Sequence, residues 1–427
     1  MTTPLAQKET LAPVDINWVR AQFPSLRQTV NGHPATFLDA PAGTQVPQRV
    51  IDAVRDYFEQ SNANTCGAFA TSRRTDAMIA AARAAMADLF KCAAEEVFFG
   101  PNMTTATFAL ARGIGRDLKA GDEVVVTTID HDANVAPWRA LEELGVVVRQ
   151  VDIREEDCTL DMDDLRRKIT PRTRLVAAGY ASNAVGTINP VAEVVRLAHE
   201  AGALAFIDAV HYAPHGPIDV RELDCDFLAC SPYKFFGPHM GCIYGKRDLL
   251  LRFRPYKVRP APETLPDRWE TGTQIHEGLA GVVAAIDYIA DLGRHCDPAS
   301  TLTRRGALTS AYHAIRQHEM SLAAKMIRGL LEIPGLRFYG ISDPARFDTR
   351  VPTVGVRLAN HKPLAIATFL GDRGIFTWDG NYYAMNLTER LGVEKDGGLL
   401  RIGLVHYNAA EEVDRLLAAL HELAASR

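Results

Sequence analysis

The chain has 427 residues, 47% of them hydrophobic and 23% charged, with a formal net charge of −5. That is ordinary globular composition in a chain too long for one small core, and it gives no electrostatic reason to expect nucleic acid or an anionic membrane as a partner. No apolar run is long enough to span a bilayer, the opening MTTPLAQKETLAPVDINW lacks the apolar centre of a secretory signal, and the 7 cysteines are scattered without matched C-x-x-C pairs, so a reduced cytoplasmic location without a metal site is expected.

Residues 1–13 are polar and read as a loose tail. From about residue 36, short apolar, β-branched runs alternate with helical patterns. Buried strands are predicted at 97–100, 123–128, 146–153, 174–181, 204–210 and 227–233, with amphipathic helices between them at 76–90, 136–144 and 191–201. That alternation predicts a largely parallel sheet covered on both faces. Beyond it, one long helix over 311–332, strands at 351–358 and 399–407, and a last helix at about 410–425 predict a smaller α+β unit. No internal repeat or low-complexity segment interrupts the pattern.

The segment LDCDFLACSPYKFFGPHMGCIYG (223–245) carries the chemistry. An apolar strand ends in Ser231, Lys234 follows just past its end, and glycines at 237, 241 and 245 punctuate a loop beyond. Open α/β sheets bind ligands at the carboxyl ends of their strands. A lysine desolvated there loses its proton and can form an imine with an aldehyde cofactor. A lone lysine is ordinarily a solvated surface charge, but upstream LAFIDAVHYAPH (204–215) ends an apolar strand in Asp208. A strand-end carboxylate can pair with the pyridinium nitrogen of pyridoxal phosphate (PLP) and keep the ring an electron sink.

With Asp208 and Lys234 in this order, the chain resembles the class-V aminotransferases, and within them the cysteine desulfurase and selenocysteine lyase branch, from about residue 36 to about 421. The resemblance implies the fold-type I PLP-dependent transferase architecture, an α/β fold with a mostly parallel seven-stranded sheet covered by helices and a smaller α+β C-terminal domain. A large PLP-binding domain would span 36–290, and the small domain would combine 14–35 with 291–427. FLDAPAGTQVPQRV (37–50) is similar to the family's opening turn, where Ala42 and Gly43 would approach the substrate with their backbone. GPNMTTATFALA (100–111) resembles its phosphate loop, with Thr104 and Thr105 at a helix N-terminus. In DHDANVAPW (130–138), His131 would stack on the cofactor ring and assist proton transfer, with Asn134 near the substrate. In YASNAVGTINPV (180–191), Asn183 would donate to the PLP 3′-oxygen. Ser231, Tyr233 and His211 complete the implied cofactor shell. WETGTQIHEGLAG (269–281) resembles a loop that enters the neighbouring subunit, where Gly272 and Thr273 would complete the phosphate site, which implies a homodimer. In LLRIGLVHYNAAEEVDRL (399–416), Arg401 would clamp the substrate α-carboxylate.

Three positions depart from the family's pattern. Tyr233 stands where the family usually has histidine, and His211 where it often has glutamine. The third departure bears on the reaction. Desulfurases of the family carry a persulfide-forming cysteine in the C-terminal domain, whereas this chain has no cysteine beyond Cys296. The corresponding stretch reads GIFTWDGNYYAMNLTERLGV (374–393), in which Trp378, Asp379, Tyr382 and Tyr383 would form an aromatic wall with one carboxylate. Trp378 and Tyr383 are the substrate-contact candidates. The function implied is PLP-dependent chemistry at an amino-acid α-carbon, with β-elimination of a cysteine-like substrate first. Transamination or epimerisation is the alternative, and an inactive PLP-binding scaffold ranks last.

Overall fold

Apolar runs such as Val124–Val126 and Ala205–Ile207 have no polar face, so a sheet made of them must be covered on both sides. In the structure, a computed structural model describing residues 11–297 and 302–425, they form its centre. Most of the tail read over 1–13 lies outside the described residues.

Seven strands lie in the order Val97–Gly100, Gly241–Gly245, Phe227–Cys230, Leu204–Asp208, Thr173–Gly179, Glu123–Thr127 and Val147–Val151. All run parallel except Gly241–Gly245, which is antiparallel to both neighbours. In the sequence, glycines at 237, 241 and 245 read as the punctuation of a loop. Gly241–Gly245 is instead a fully buried strand, and its glycine has a packing reason: a Cβ on Gly241 would sit inside the Asn102–Met103 backbone. The predicted helix at 76–90 extends from Ala70 to Phe90. The one at 136–144 is a short helix, Ala136–Arg139, continued by a 3₁₀ turn. Helix His276–Cys296, not anticipated, packs against the helix Arg304–Leu331, which begins earlier than the predicted 311.

A second sheet of four antiparallel strands, in the order Leu336–Tyr339, Thr353–Leu358, Leu399–Gly403 and Trp378–Gly380, forms the smaller α+β unit with helix Ala410–Ala425. The predicted strand 399–407 stops at Gly403. The chain's first segment closes onto this unit: Thr36–Phe37 pairs in parallel with Ile375–Phe376, Arg20 reaches the Tyr407 carbonyl and Glu412, and Arg415 reaches the Pro34 carbonyl and the Thr36 hydroxyl. No described helix is long and apolar enough to cross a membrane.

Candidate active site

Because the parallel strands point the same way, the loops that follow them gather at one edge of the sheet. There they line a cleft of about 660 Å³, with strand Trp378–Gly380 and residues 381–383 on its other side. Lys234 ends a 3₁₀ turn, Pro232–Lys234, directly after the strand Phe227–Cys230. Its Nζ donates to the Pro41 carbonyl and stands 4.8 Å from the centre of the Tyr233 ring. Burial, reinforced by the positive charge of Arg401, brings its ammonium down to about 7, so a neutral amine is accessible near neutrality. The turn is held by the Ala42–Thr44 segment. Thr44 N donates to the Tyr233 carbonyl at 3.1 Å, and a Cβ on Gly43 would meet the Tyr233 ring at 3.2 Å. Tyr233 also stacks on His239, with centroids 4.9 Å apart.

Asp208, at the end of its strand, accepts from the Val210 N–H at 2.9 Å, and burial raises it to about 6. His211 lines the cleft and shares a 3.0 Å hydrogen bond with Thr353. Burial keeps its imidazole neutral, far below the usual histidine range. His131 follows the strand Glu123–Thr127. Its Nδ1 accepts the Ala133 N–H at 3.0 Å, which leaves the proton of the neutral ring on Nε2. Burial first, then Lys234 and Arg401, lower its pKa to about 4, and the Tyr383 ring stacks over it at 5.4 Å.

The residue before it, Asp130, was not singled out from the sequence. One carboxylate oxygen accepts from the Gly179 N–H and the other from Asn134 Nδ2, both at 2.8 Å. Burial, then the neighbouring Asp208, push it up to about 8. Asn134, expected near the substrate, is fully buried behind the cleft wall, where it joins Asp130 to the Trp138 indole.

Arg401 lies on the strand Leu399–Gly403, cross-strand from Trp378, so the two side chains share a face. Its guanidinium donates to the Asn183 carbonyl at 3.0 Å and lies 4.1 Å from the centre of the Tyr382 ring. The Asn183 amide in turn donates to the Tyr382 carbonyl at 2.9 Å. Tyr382 thus ties the aromatic wall to the large sheet, a role its sequence context did not reveal. Arg401 Nε and Asn183 Oδ1, on two residues of the cleft lining, are buried polar atoms without a partner among the described residues. Buried polar groups are ordinarily paired, so these atoms mark a place built to receive one.

Of the predicted site residues, the cleft brings together Ala42, Thr104, His131, Asn183, Asp208, His211, Ser231, Tyr233, Lys234, Trp378, Tyr383 and Arg401. Thr105 sits just outside it, its N–H capped by Asn102 at 2.8 Å. Gly272 and Thr273 are exposed and do not line the cleft of this chain.

The class-V aminotransferase family model matches residues 36–304 and 307–416. The chain belongs to the class-V aminotransferase family. Among curated relatives, a cysteine desulfurase of Dickeya dadantii is 35% identical over 425 residues, covering 96% of each chain. One of Pectobacterium atrosepticum is 34% identical, covering 96% of this chain and 98% of its own. Among solved structures, an apo cysteine desulfurase from Thermococcus onnurineus superposes with a TM-score of 0.82 at 26% identity over 94% of this chain and 98% of its own. The Escherichia coli cysteine desulfurase CsdA in its S-sulfonic acid form gives 0.80 at 27% identity over 96% and 98%. The chain is therefore a class-V, cysteine desulfurase-like PLP enzyme with the fold-type I architecture.

Proposed function

We propose that the enzyme eliminates the β-substituent of a cysteine-like amino acid without passing sulfur through a protein persulfide. The observation that carries this reading is the cleft lining, which contains Trp378, Asp379, Tyr382 and Tyr383 and no cysteine among the described residues. Cys66 is exposed, with its backbone held by Asp76, and does not line the cleft. Cys225, Cys230 and Cys242 are buried in apolar surroundings that push their thiols up and disfavour the nucleophilic thiolate.

The residues present fit PLP. Lys234 would hold its aldehyde carbon, and Asp208 would face the ring nitrogen. Asn183 and His211 would serve the ring oxygen, with His131 against the ring face. Thr104 and the N-terminal N–H groups of helix Met103–Gly115 would receive the phosphate, with Gly272 and Thr273 of a second subunit completing that site in a homodimer. When bound, the group supplies an electron sink for bonds at the α-carbon. Arg401 binds the α-carboxylate and fixes the orientation of the α-hydrogen. Lys234 Nζ, neutral near pH 7, accepts the α-proton. The Cβ–S bond then breaks and the sulfur leaves with the electron pair. Overall, L-cysteine and water give pyruvate, ammonia and hydrogen sulfide, a balance that needs no oxidant and no thiolate from the protein.

The test is incubation of the holoenzyme with L-cysteine in the absence of reductant, with pyruvate, alanine and sulfide assayed and cysteines mapped by alkylation. Pyruvate with sulfide and no persulfide is expected. Alanine formed together with a stoichiometric persulfide on Cys66, and activity lost in Cys66→Ser, would overturn the reading. A keto acid formed without sulfide would reassign the enzyme to transamination.

A further inference from the structure

His211 follows the large-sheet strand Leu204–Asp208, and its bond partner Thr353 opens the small-sheet strand Thr353–Leu358. The 3.0 Å contact between His211 Nε2 and Thr353 Oγ1 therefore crosses from one sheet to the other. Thr353 also pairs with Gly403, two residues beyond Arg401 on the neighbouring strand.

Counting protons decides which atom of this contact donates. Burial keeps the imidazole neutral, so it carries one N–H and one lone pair. Thr353 is fully buried, and its hydroxyl has no other hydrogen bond among the described residues. If Nε2 donated, the hydroxyl proton would be left unpaired in the core, and a buried donor without an acceptor costs its full desolvation. If the hydroxyl donates, both groups are satisfied and the imidazole proton sits on Nδ1. Nδ1 has no partner among the described residues. Although the ring is only 5% exposed, this atom keeps contact with the cleft rather than being sealed in the core. His215 packs edge-on against the ring, with centroids 5.5 Å apart, and is itself bonded to Glu319 at 2.8 Å, so the imidazole is held from a second side.

We infer that Thr353, which lies outside the cleft lining, is a positioning residue for the cofactor. Its hydroxyl donates to His211 Nε2 and fixes the proton on Nδ1, which makes His211 a hydrogen-bond donor to the ring oxygen of PLP. The small sheet thereby sets the protonation pattern of a cofactor contact in the large one. This inference rests on the placement of PLP in the cleft and not on the elimination step.

The experiment uses the holoenzyme with its histidine rings isotopically labelled at nitrogen and read by NMR. The signals missing from His211→Gln identify His211. A protonated, pyrrole-type Nδ1 and a pyridine-type Nε2 are expected, and the reverse pattern would overturn the inference. The second readout is the pH midpoint of the visible absorption of bound PLP. A donor at the ring oxygen stabilises its negative charge, so weakening that donor raises the midpoint. Thr353→Val, which keeps the side-chain shape without the hydroxyl, should raise it by about 0.5–1 pH unit, the scale of one hydrogen bond. Thr353→Ser, which restores the hydroxyl, should return it to within about 0.2 unit of wild type. An unmoved midpoint in Thr353→Val, or an equal shift in Thr353→Ser, would overturn the positioning role. Neither readout requires turnover, so a failure of elimination leaves both intact. A cofactor-free protein with the proton on Nδ1 that takes up no PLP would instead sink the cofactor placement while the tautomer assignment stands.

Discussion

Removing the guanidinium of Arg401 tests how the cleft holds its substrate. Arg401 is 4% exposed, anchored to the Asn183 carbonyl at 3.0 Å and laid on Tyr382 at 4.1 Å, with Nε unpartnered among the described residues. A fork held this rigidly loses little entropy when a carboxylate docks. Losing a bidentate, charge-assisted pair in such a site costs roughly 2–4 kcal/mol, or about 30- to 1000-fold in kcat/KM. Arg401→Ala should show that loss for L-cysteine, and Arg401→Lys, which keeps the charge but not the planar fork, should lose about tenfold. The assay pairs L-cysteine with cysteamine, which lacks the carboxylate. Wild type should strongly prefer cysteine, and both variants should narrow the preference while PLP affinity changes far less. A wild type that turns over cysteamine as well as cysteine, or an Arg401→Lys enzyme within threefold of wild type on cysteine, would refute the reasoning.

Lys234→Ala should abolish both the visible absorption of bound PLP and its trapping by borohydride, and retention of either would place the attachment elsewhere. Asp130, raised to about 8 by burial, holds more protons folded than unfolded between its ordinary value of 3.8 and 8, so its contribution to stability falls as pH rises through that window. In the cofactor-free protein, Asp130→Asn should therefore gain on wild type by up to about 1.4 kcal/mol per pH unit in urea unfolding between pH 5 and 8, and a difference independent of pH would contradict it. Arg350 is fully buried with no carboxylate partner among the described residues and donates to the carbonyls of Ile341, Thr353, Val185 and Val351. Arg350→Met orphans those acceptors and should lower unfolding stability by about 3–5 kcal/mol, and a loss under about 1 kcal/mol would show that they find other partners.

The parallel strands were legible because burial on both faces removes polar residues from them, as in Ala205–Ile207. Lys234 and Asp208 were legible because each follows such a run directly. What escaped the sequence depends on tertiary placement. The strand Gly241–Gly245 reads as a loop, since its glycine is there to admit the Asn102–Met103 backbone. Asp130 looks like any turn aspartate until Gly179 and Asn134 close around it. Asn134 sits beside His131 in sequence, yet a 3₁₀ turn aims it away from the cleft. Tyr382 is one of two adjacent tyrosines, both with left-handed backbone at φ 57° and 58°, and only that conformation presents its carbonyl to Asn183 and its ring to Arg401.

The clasp between the two ends of the chain has a consequence for synthesis on the ribosome. The partners of Thr36–Phe37, Pro34 and Arg20 are Ile375–Phe376, Arg415 and Glu412. Nearly the whole polypeptide must be translated before the first segment meets them, a delay of about 20–80 s at the usual 5–20 residues per second. The strands of the large sheet, all between Val97 and Gly245, emerge well within that interval, but the core packed on them also takes side chains from Tyr312, Ile315, Val405 and Tyr407. The cleft waits as well, because Arg401 and the aromatic wall arrive with the last part of the chain. A ribosome stalled after about residue 300 would thus carry Lys234 and Asp208 but not Arg401.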